Sequence, residues 1–339
     1  MMALRGEPVL LTGATGFLGR HIAGALCDAG YEVVTMLRRE RGDSTEPLGS
    51  RRVWGDLERP DSLAVAMKGV QSVVHAAGFV SNAARDRERL FSVNALGARN
   101  LLDAAAAAGV RRVVFTSSTS AVAALYEDRP DLALTEDVAF NLADLEVPYV
   151  QAKRLAHEAA LTSREAGLSV VVLSPTFVLG PGDWRLTSSE LVDAFVRRRV
   201  PGHLDGGINP VDVRDLAPAY VAALDHPDPG PHYILAGPEN LTTRALFQRL
   251  AACSGVSAPR LRIPRWAALA AGICSERVAP GASLNAATVR LGSLYWYFDA
   301  ALARRELGFE TRPLDETLRS AVDWVRKLPR MKIGRPPAP

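Results

Sequence analysis

The sequence is poor in cysteine and in long apolar runs. Its 339 residues include only three cysteines, Cys27, Cys253 and Cys274, and their wide spacing fits neither a disulfide framework nor a zinc site. We therefore expect a reducing, cytoplasmic location. No apolar stretch reaches the roughly 20 residues that span a bilayer. The N-terminal residues include Arg5 and Glu7 and lead directly into a predicted strand, so we also expect no secretory signal.

The chain also lacks an excess of charge of one sign. Its 40 basic and 37 acidic residues leave a net charge of +3, and no basic block with interleaved aromatics occurs. A nucleic-acid partner is therefore not indicated. His157, His203 and His232 show no ligand spacing, so we expect no bound metal. His75 lies inside an apolar run, which is more typical of a hydrogen-bonded core histidine than of a catalytic one.

The first half of the chain does contain a regular alternation of apolar, β-branched runs with helical patterns. Candidate strands cover residues 9–12, 32–37, 52–54, 72–77, 113–117 and 169–173. Candidate helices cover residues 17–29, 61–68, 86–108 and 149–166, each followed by a glycine: Gly30, Gly69, Gly109 and Gly167. Several strands are apolar throughout, as in strands covered on both faces. The alternation predicts an α/β fold with a Rossmann-type, doubly wound parallel sheet.

Beyond about residue 175 the pattern becomes irregular and richer in proline and glycine. We predict a Rossmann domain over residues 1–175 and a smaller C-terminal substrate-binding lobe over residues 176–330. Segments near 208–237, with a helix over 213–224 and a strand over 232–236, would return to complete the Rossmann part. The basic, proline-rich tail at 331–339 is predicted to be disordered. The apolar segment 266–274 predicts a buried or pocket-lining helix in preference to a membrane-surface contact.

A glycine-rich loop follows the first candidate strand. The spacing of Gly13, Gly16 and Gly19 suits a tight turn, a close backbone approach to a pyrophosphate and close packing of a helix on a strand. The N-terminus of the next helix adds amide groups and a partial positive charge that favour phosphate. This context predicts a dinucleotide site rather than a structural turn. Its residues are Gly13, Thr15, Gly16, Phe17, Leu18 and Gly19.

The end of the second candidate strand bears on which nicotinamide cofactor binds. An acidic residue there would accept hydrogen bonds from a ribose 2′-hydroxyl and repel a 2′-phosphate. This sequence has Arg38 and Arg39 instead. Because guanidinium groups bind phosphate bidentately, the pair favours NADP(H) over NAD(H). The alternative is that both arginines are only solvated beyond the strand, in which case NAD(H) stays open.

A tyrosine and a lysine stand four residues apart in the fourth candidate helix. Tyr149 and Lys153 therefore project from one helix face, where the ammonium would lower the phenol pKa by favouring the phenolate. Such a phenol can exchange a proton with a carbonyl or alcohol oxygen. Thr116, Ser117 and Ser118 end the fifth candidate strand, at the edge where parallel sheets bind ligands. A hydroxyl there could hold the substrate oxygen, or the serines could only cap the strand end.

Several motifs occur in a fixed order along the chain. They lie at residues 12–19, 73–78, 93–97, 115–118, 149–153, 174–175 and 211–215. Together they resemble the extended short-chain dehydrogenase/reductase family, also called the NAD-dependent epimerase/dehydratase family, over about residues 8–325. Segments 233–237 and 303–309 resemble its dihydroflavonol-reductase-like branch, which includes hopanoid-associated sugar epimerases. The 3β-hydroxysteroid dehydrogenases are more distantly similar.

The resemblance implies roles for individual residues. Ser118, Tyr149 and Lys153 would form the catalytic set, with Ser117 as the alternative to Ser118 if the register differs. The implied cofactor contacts are Arg38 at the 2′-phosphate, Asp56 and Leu57 at the adenine, Ala76, Ala77 and Gly78 at the ribose, and Pro175 and Val178 near the nicotinamide, with Asn94, Thr116, Tyr149 and Lys153 beside them. Asp56 could instead only cap a turn. A homodimer is a further expectation of the family.

Two features bear on the substrate. Family members acting on nucleotide sugars often carry an arginine where Ser174 precedes Pro175, so this sequence weakens that interpretation, whereas the apolar segment 266–273 suits a hydrophobic substrate. We predict an NADP(H)-dependent reductase of a ketone or aldehyde on a small hydrophobic molecule, with Tyr149 as general acid/base. The alternatives are an NAD(P)-dependent nucleotide-sugar epimerase or dehydratase, a 3β-hydroxysteroid-dehydrogenase-like enzyme and a non-catalytic dinucleotide sensor.

Overall fold

The computed structural model describes residues 6–38, 49 and 51–329. Its strands are β1 (Pro8–Thr12), β2 (Glu32–Leu37), β3 (Arg51–Trp54), β4 (Ser72–His75), β5 (Arg112–Thr116), β6 (Val170–Pro175), β7 (Phe177–Leu179), β8 (Gly207–Ile208), β9 (Pro210–Asp212), β10 (His232–Leu235) and β11 (Leu241–Thr242). Its α-helices are α1 (Phe17–Asp28), α2 (Pro60–Ala66), α3 (Arg87–Leu90), α4 (Gly97–Ala107), α5 (Pro148–Glu165), α6 (Glu190–Val196), α7 (Val213–Asp225), α8 (Thr243–Ser254), α9 (Arg265–Val278), α10 (Ala286–Gly292), α11 (Ala301–Leu307) and α12 (Leu314–Lys327).

The central sheet has the spatial order β3-β2-β1-β4-β5-β6-β10. Every neighbouring pair in it is parallel. The predicted doubly wound α/β fold is therefore confirmed, and each strand predicted by pattern begins and ends within two residues of its predicted limits. The strand order reverses between β1 and β4. In sheets of this type the crevice beyond the carboxyl ends at that reversal is the ligand-binding position.

Helices cover both faces of the sheet, which explains the strands that are apolar throughout. On one face Val9 and Leu11 of β1 pack with α1 and α7, and on the other face Leu10 packs with α2, α4 and α5. All three side chains are fully buried. The predicted C-terminal glycines are also confirmed, since Gly30, Gly69, Gly109 and Gly167 all have a positive φ. The left-handed conformation ends each helix at little steric cost.

One predicted helix is not continuous. The pattern over residues 86–108 predicts a single α-helix, whereas the chain forms α3, a π-helical segment (Phe91–Leu96) and then α4. In the π-helical segment each hydrogen bond spans one residue more than in an α-helix. The residues before the segment are therefore rotated around the helix axis relative to those after it. A periodicity of apolar residues does not reveal such an insertion. The segment carries Asn94, which is buried.

The later part of the chain builds a second apolar core beside the sheet. Strand β7 pairs with β9, and β8 pairs with β11. Helices α6, α8 and α12 bury Phe195, Phe247 and Leu318 in this core. Residues 331–339 and Arg39, which carried sequence predictions, lie outside the described residues. Within the described ranges, no helix combines the length and apolarity needed to cross a bilayer.

Segment 266–274 forms most of α9, as predicted. Of the predicted buried or pocket-lining helix, the burial is wrong, and the pocket-lining role stays a prediction. Trp266 is 74% exposed and Ile273 is 43% exposed, whereas Ala268 is 7% exposed. The helix packs on α10 through its smallest residues. Gly272 lies so close to the N-cap of α10 that an added Cβ would be 2.9 Å from the Asn285 carbonyl carbon. The large apolar side chains are left on the outer face.

A buried carboxylate joins β9, α7 and the C-terminal helices. The Asp212 side chain caps α7 by accepting a hydrogen bond from the Arg214 amide at 2.9 Å, and it also pairs with the Arg214 guanidinium at 2.7 Å. Arg312 lies 3.6 Å away and bridges to Asp215. Burial by itself would raise the pKa of Asp212, but the hydrogen bonds from Arg214 and the charge of Arg312 outweigh it and bring that pKa below its usual value.

We predict that Asp212→Asn lowers the free energy of unfolding by about 3–5 kcal/mol, the range for breaking a buried ion pair. Because the folded pKa is depressed, the carboxylate stabilises the fold above about pH 4 and loses this effect as the pH falls through the folded value. Urea unfolding at neutral and acidic pH measures both effects. The exposed Asp103, 3.9 Å from Arg99, provides the control Asp103→Asn, for which we expect little change. An Asp212→Asn variant as stable as this control at neutral pH would contradict the prediction.

Candidate active site

The predicted site residues follow strands that end at one edge of the sheet. Thr12, His75, Thr116 and Pro175 are the last residues of β1, β4, β5 and β6, which are neighbours in the sheet. The glycine loop, the segment 76–78 and the serines 117–118 come directly after the first three of these strands. Parallel pairing therefore brings together segments that are far apart in sequence.

The glycine loop is packed too closely for side chains. Gly13 has a φ of +75°, and a Cβ there would lie 2.6 Å from the Ala76 carbonyl carbon. A Cβ at Gly19 would lie 2.0 Å from the Gly13 oxygen. Gly16 is the N-cap of α1 and donates its amide to the Gly13 oxygen at 2.8 Å. The result is a backbone cradle at a helix N-terminus, and this arrangement fits a pyrophosphate.

A hydrogen-bonded pair holds the ends of β1 and β4 together. The Thr12 hydroxyl bonds to His75 Nδ1 at 2.8 Å and accepts a hydrogen bond from the Ala77 amide at 3.2 Å. Burial, helped by the charge of Lys153, lowers the pKa of His75 to about 3. His75 is thus a neutral core histidine, as its place in an apolar run predicts.

Ser118, Tyr149 and Lys153 meet at the carboxyl end of β5. The Ser118 side chain lies beside the Tyr149 hydroxyl and lowers its pKa, and Lys153 Nζ donates to the Thr116 carbonyl oxygen at 3.3 Å. Lys153 is only 9% exposed, and burial lowers its pKa to about 8.

The pKa of the tyrosine differs in direction from the sequence prediction. Burial raises the pKa of Tyr149, and the neighbouring Ser118 side chain opposes this shift without reversing it. The prediction that the neighbouring ammonium brings the phenol pKa below its ordinary value is therefore wrong for this structure. Desolvation disfavours the phenolate more than nearby groups favour it. The phenol is held as a protonated acid at neutral pH.

The two candidate serines have different environments. Ser118 faces Tyr149 and also accepts hydrogen bonds from the Ser120 amide and hydroxyl at 3.2 and 2.9 Å. Ser117 is 4% exposed and its hydroxyl bonds to His157 Nδ1 at 2.9 Å. The structure thus brings Ser118, and not Ser117, to the tyrosine.

Two buried histidines, His157 and His232, lie near the site, and their sequence positions did not predict a role for them. The rings of His157 and His232 are perpendicular with centroids 4.8 Å apart, and His232 Nε2 bonds to Ser174 Oγ at 2.8 Å. Burial lowers the pKa of His157 to about 4 and that of His232 to about 3, so both are neutral. The available signal was the spacing of His157, which lies one turn after Lys153 on the same helix.

Asn94 and Gly78 shape the site beside Lys153. Asn94 accepts a hydrogen bond from the Phe79 amide and donates one to the Phe79 carbonyl, both at 2.8 Å. A Cβ at Gly78 would lie 3.3 Å from Asn94 Oδ1 and 3.8 Å from Lys153 Nζ. The absence of a side chain at residue 78 keeps the approach to the ammonium open.

The remaining predicted contacts lie around this centre. Arg38 is exposed directly after β2. Asp56 accepts a hydrogen bond from the Glu58 amide at 3.0 Å, so it does cap a turn after β3, and Leu57 is buried. The other outer residues lie at the end of β6 and just beyond it. They are Pro175, whose carbonyl accepts a hydrogen bond from Thr119 at 3.4 Å, and Val178, which pairs with Val211 in the adjoining sheet.

The chain is similar to known proteins over nearly its whole length. It is 33% identical over 327 residues to a protein of Synechocystis sp. provisionally named a dihydroflavonol 4-reductase, covering 93% of this chain and 94% of that protein. It is 32% identical over 327 residues to sterol demethylase protein B of Methylococcus capsulatus, covering 94% of this chain and 98% of that one.

Structural similarity leads to the same group of proteins. The solved structure of MoeE5 in complex with UDP-glucuronic acid and NAD superposes with a TM-score of 0.74 at 26% identity, covering 95% of this chain and 99% of that chain. The model of the NAD-dependent epimerase/dehydratase family matches residues 9–236, which include the cradle, Ser118, Tyr149 and Lys153. The chain therefore belongs to the NAD-dependent epimerase/dehydratase family of extended short-chain dehydrogenases/reductases.

Proposed function

We propose that this member of an NAD(P)-dependent oxidoreductase family uses NADP(H) to reduce a ketone or aldehyde on a small hydrophobic molecule. The observation that carries the proposal is the proximity of Ser118 to Tyr149 beside the buried Lys153, at the sheet edge that also holds the glycine cradle. Two relatives support the class of substrate, since their names refer to a dihydroflavonol and to a sterol. Both are uncharged ring compounds.

The proposed cofactor contacts follow from the arrangement of the chain. The cradle of Gly13, Gly16 and Gly19 would hold the pyrophosphate, and Arg38 would meet the 2′-phosphate. The Lys153 ammonium has three N–H donors. One of them donates to the Thr116 carbonyl oxygen at 3.3 Å, so the others are left for ribose hydroxyls. The nicotinamide supplies, when bound, the hydride that reduces the carbonyl carbon.

The side chains of the chain itself supply orientation and a proton. Tyr149, which burial keeps protonated, donates its proton to the carbonyl oxygen of the substrate as negative charge develops there. Ser118 donates a hydrogen bond that orients this oxygen. Lys153 stabilises the phenolate that remains on Tyr149, because the attraction between unlike charges is strong in a site with little water.

A nucleotide-sugar epimerase or dehydratase is the second candidate, because the similar MoeE5 structure was solved with UDP-glucuronic acid and NAD. Against it, residue 174 is a fully buried serine bonded to His232 and offers no cation to a diphosphate. Absorbance at the reduced-nicotinamide band separates the two candidates. Net loss of NADPH with carbonyl substrates supports the reductase, and product without net cofactor consumption supports the epimerase.

The proposal assigns cofactor binding to residues 1–175, completed by the segments near 208–237, and substrate binding mainly to residues 176–330. The core that α6, α8 and α12 form beside the sheet supports this division. We also place the enzyme in the reducing cytoplasm, since Cys27, Cys253 and Cys274 are all free thiols.

Replacing the proposed acid tests its role directly. We predict that Tyr149→Phe lowers kcat by roughly 10²–10⁴-fold, the range for general acid–base catalysis, with little change in the Kd for NADPH. Stopped-flow rates and fluorescence titration with NADPH measure the two quantities. The matched control is Tyr126→Phe, which removes an exposed hydroxyl bonded to the Asn141 carbonyl and should leave the rate unchanged. Wild-type turnover by Tyr149→Phe would refute the assignment.

Because the pKa of Lys153 is lowered, we expect the pH profile of kcat/KM to have a basic limb, a fall in rate at high pH. Because the ammonium loses its proton as the pH rises through about 8, we predict that kcat/KM falls above this pH. The variant Lys153→Met should be slow at every pH and should lack this limb. Profiles between about pH 6 and about pH 10 test the assignment. If kcat/KM of Lys153→Met fell over the same pH range, the titrating group would be another residue.

Arg38 tests the choice of cofactor. We predict that Arg38→Ala weakens NADPH binding by about 10–100-fold, the worth of a charge-assisted hydrogen bond, and changes NADH binding far less. Titrations with both nucleotides measure the ratio, and Arg99→Ala, on the exposed face of α4, serves as the control. Equal losses for both nucleotides would remove the support for NADP(H).

A further inference from the structure

Helix α9 exposes apolar side chains on its outer face, whereas most surface helices bury their apolar face. We define the α9 face as Trp266, Leu269, Ala270, Ile273 and Cys274, which fall on one side of the helix at the spacing of 3.6 residues per turn. Trp266, Ala270, Ile273 and Cys274 of this face are exposed, and Leu269 is half-buried.

Exposed apolar residues also lie before α9 and at its C-terminal end. Leu261, before α9, is 61% exposed, and Val278, its last residue, is 87% exposed. Apolar residues exposed together on one helix face mark an interaction site more often than scattered exposed residues do.

The α9 face has a basic rim. Residues 260–284 contain four arginines and a single acidic residue, Glu276. Arg262 is paired with Asp205, and the Glu276 carboxylate accepts a hydrogen bond from the Ala84 amide at 3.0 Å. No described acidic side chain pairs with the other three arginines, which are all exposed: Arg260, Arg265 and Arg277. The segment therefore presents apolar side chains with unneutralised positive charge around them.

Contacts tie this segment to the proposed active site. Arg85 Nη1 donates to the Pro280 carbonyl at 2.6 Å, next to the Glu276 contact with Ala84. The loop that carries Ala84 and Arg85 begins directly after Gly78, which lies beside Lys153. The C-terminal end of α9 thus borders the loop that leads out of the crevice. A surface seated on the α9 face would lie beside the entrance to the site.

We propose that the α9 face binds the surface of a bilayer that contains anionic lipids, and that the enzyme takes its hydrophobic carbonyl substrate from that bilayer. The second part rests on the proposed function. Trp266 and Ile273 would enter the interfacial region, where tryptophan is favoured, while Arg265 and Arg277 would meet the lipid phosphates. A helix of 14 residues with this polarity suits binding in the plane of the interface.

Charge favours a bilayer over a second copy of the chain. In a two-fold contact each surface meets the same surface of its partner, so the basic rims around the two α9 faces would come close together. Like charges at an interface oppose association. Anionic headgroups neutralise the same arginines, and each basic residue near such a surface contributes attraction that weakens with salt.

Vesicle flotation with the full-length protein tests the proposal. We expect binding to vesicles of phosphatidylcholine with phosphatidylglycerol, weaker binding to phosphatidylcholine alone, and loss of binding at high salt. Arg265→Gln with Arg277→Gln should reduce binding to the anionic vesicles by about 30-fold, since each basic residue contributes about 1 kcal/mol. Trp266→Ser should reduce it by about tenfold or more, because a large apolar side chain is no longer buried.

Matched controls exclude general effects of these substitutions. Trp54→Ser and Val65→Asp change exposed apolar residues on the edge strand β3 and on α2, outside the α9 face, and should leave vesicle binding unchanged. Circular dichroism melts and the rate with a short, water-soluble ketone should be unchanged in the α9 variants, which shows that fold and chemistry are intact.

Three results would overturn the proposal: no binding to anionic vesicles, an equal loss in the Trp54→Ser control, or a concentration-dependent dimer that Trp266→Ser abolishes in light scattering. The proposed function fails differently, by an absence of NADPH consumption with every carbonyl compound tested. Vesicle binding does not depend on that chemistry, so the two failures are distinguishable.

Discussion

The arrangement depends above all on one buried charge, the ammonium of Lys153. A charge in a site with little water is costly unless other groups compensate it, and the described chain gives this one a carbonyl acceptor at 3.3 Å. Helix α5 holds the lysine there because Ala156 and Ala160, on the next turns, are packed against the sheet. The cost appears as the lowered pKa of the lysine. A ligand with hydroxyl groups would offset it, and so a dinucleotide ribose suits this position.

Neutral buried histidines hold the strand ends around that charge. His75 bonds to Thr12, His157 to Ser117 and His232 to Ser174, and each bond joins elements that are distant in sequence. Burial keeps all three histidines uncharged, so they add directional hydrogen bonds without a further charge to compensate. The result is a hydrogen-bonded layer close to Ser118 and Tyr149. Under the proposed function, such preorganisation would help the site to stabilise charge as it develops.

The two sides of the site suit different chemistry. The cradle side presents backbone amides at a helix N-terminus, which favour phosphate. The other side leads past Phe79 and Arg85 to α9, whose outer face is apolar with arginines around it. Under the proposed function, the cradle would hold the charged cofactor and the α9 side would receive the apolar substrate. A fully buried serine at residue 174 reinforces this division, because the substrate side then has no cation at that position.

The features that depend on neighbouring residues could be predicted from the amino-acid order. The strand runs, the helix-ending glycines, the cradle of Gly13, Gly16 and Gly19, and the placing of Tyr149 and Lys153 on one helix face all follow from local periodicity and local backbone sterics. Tertiary structure alone decided the rest. Whether Ser117 or Ser118 meets the tyrosine, and whether burial or a nearby charge controls its pKa, depends on which remote elements pack around each group. The exposure of Trp266 was decided in the same way. An apolar helix has the same sequence pattern whether another element packs on it or it faces solvent.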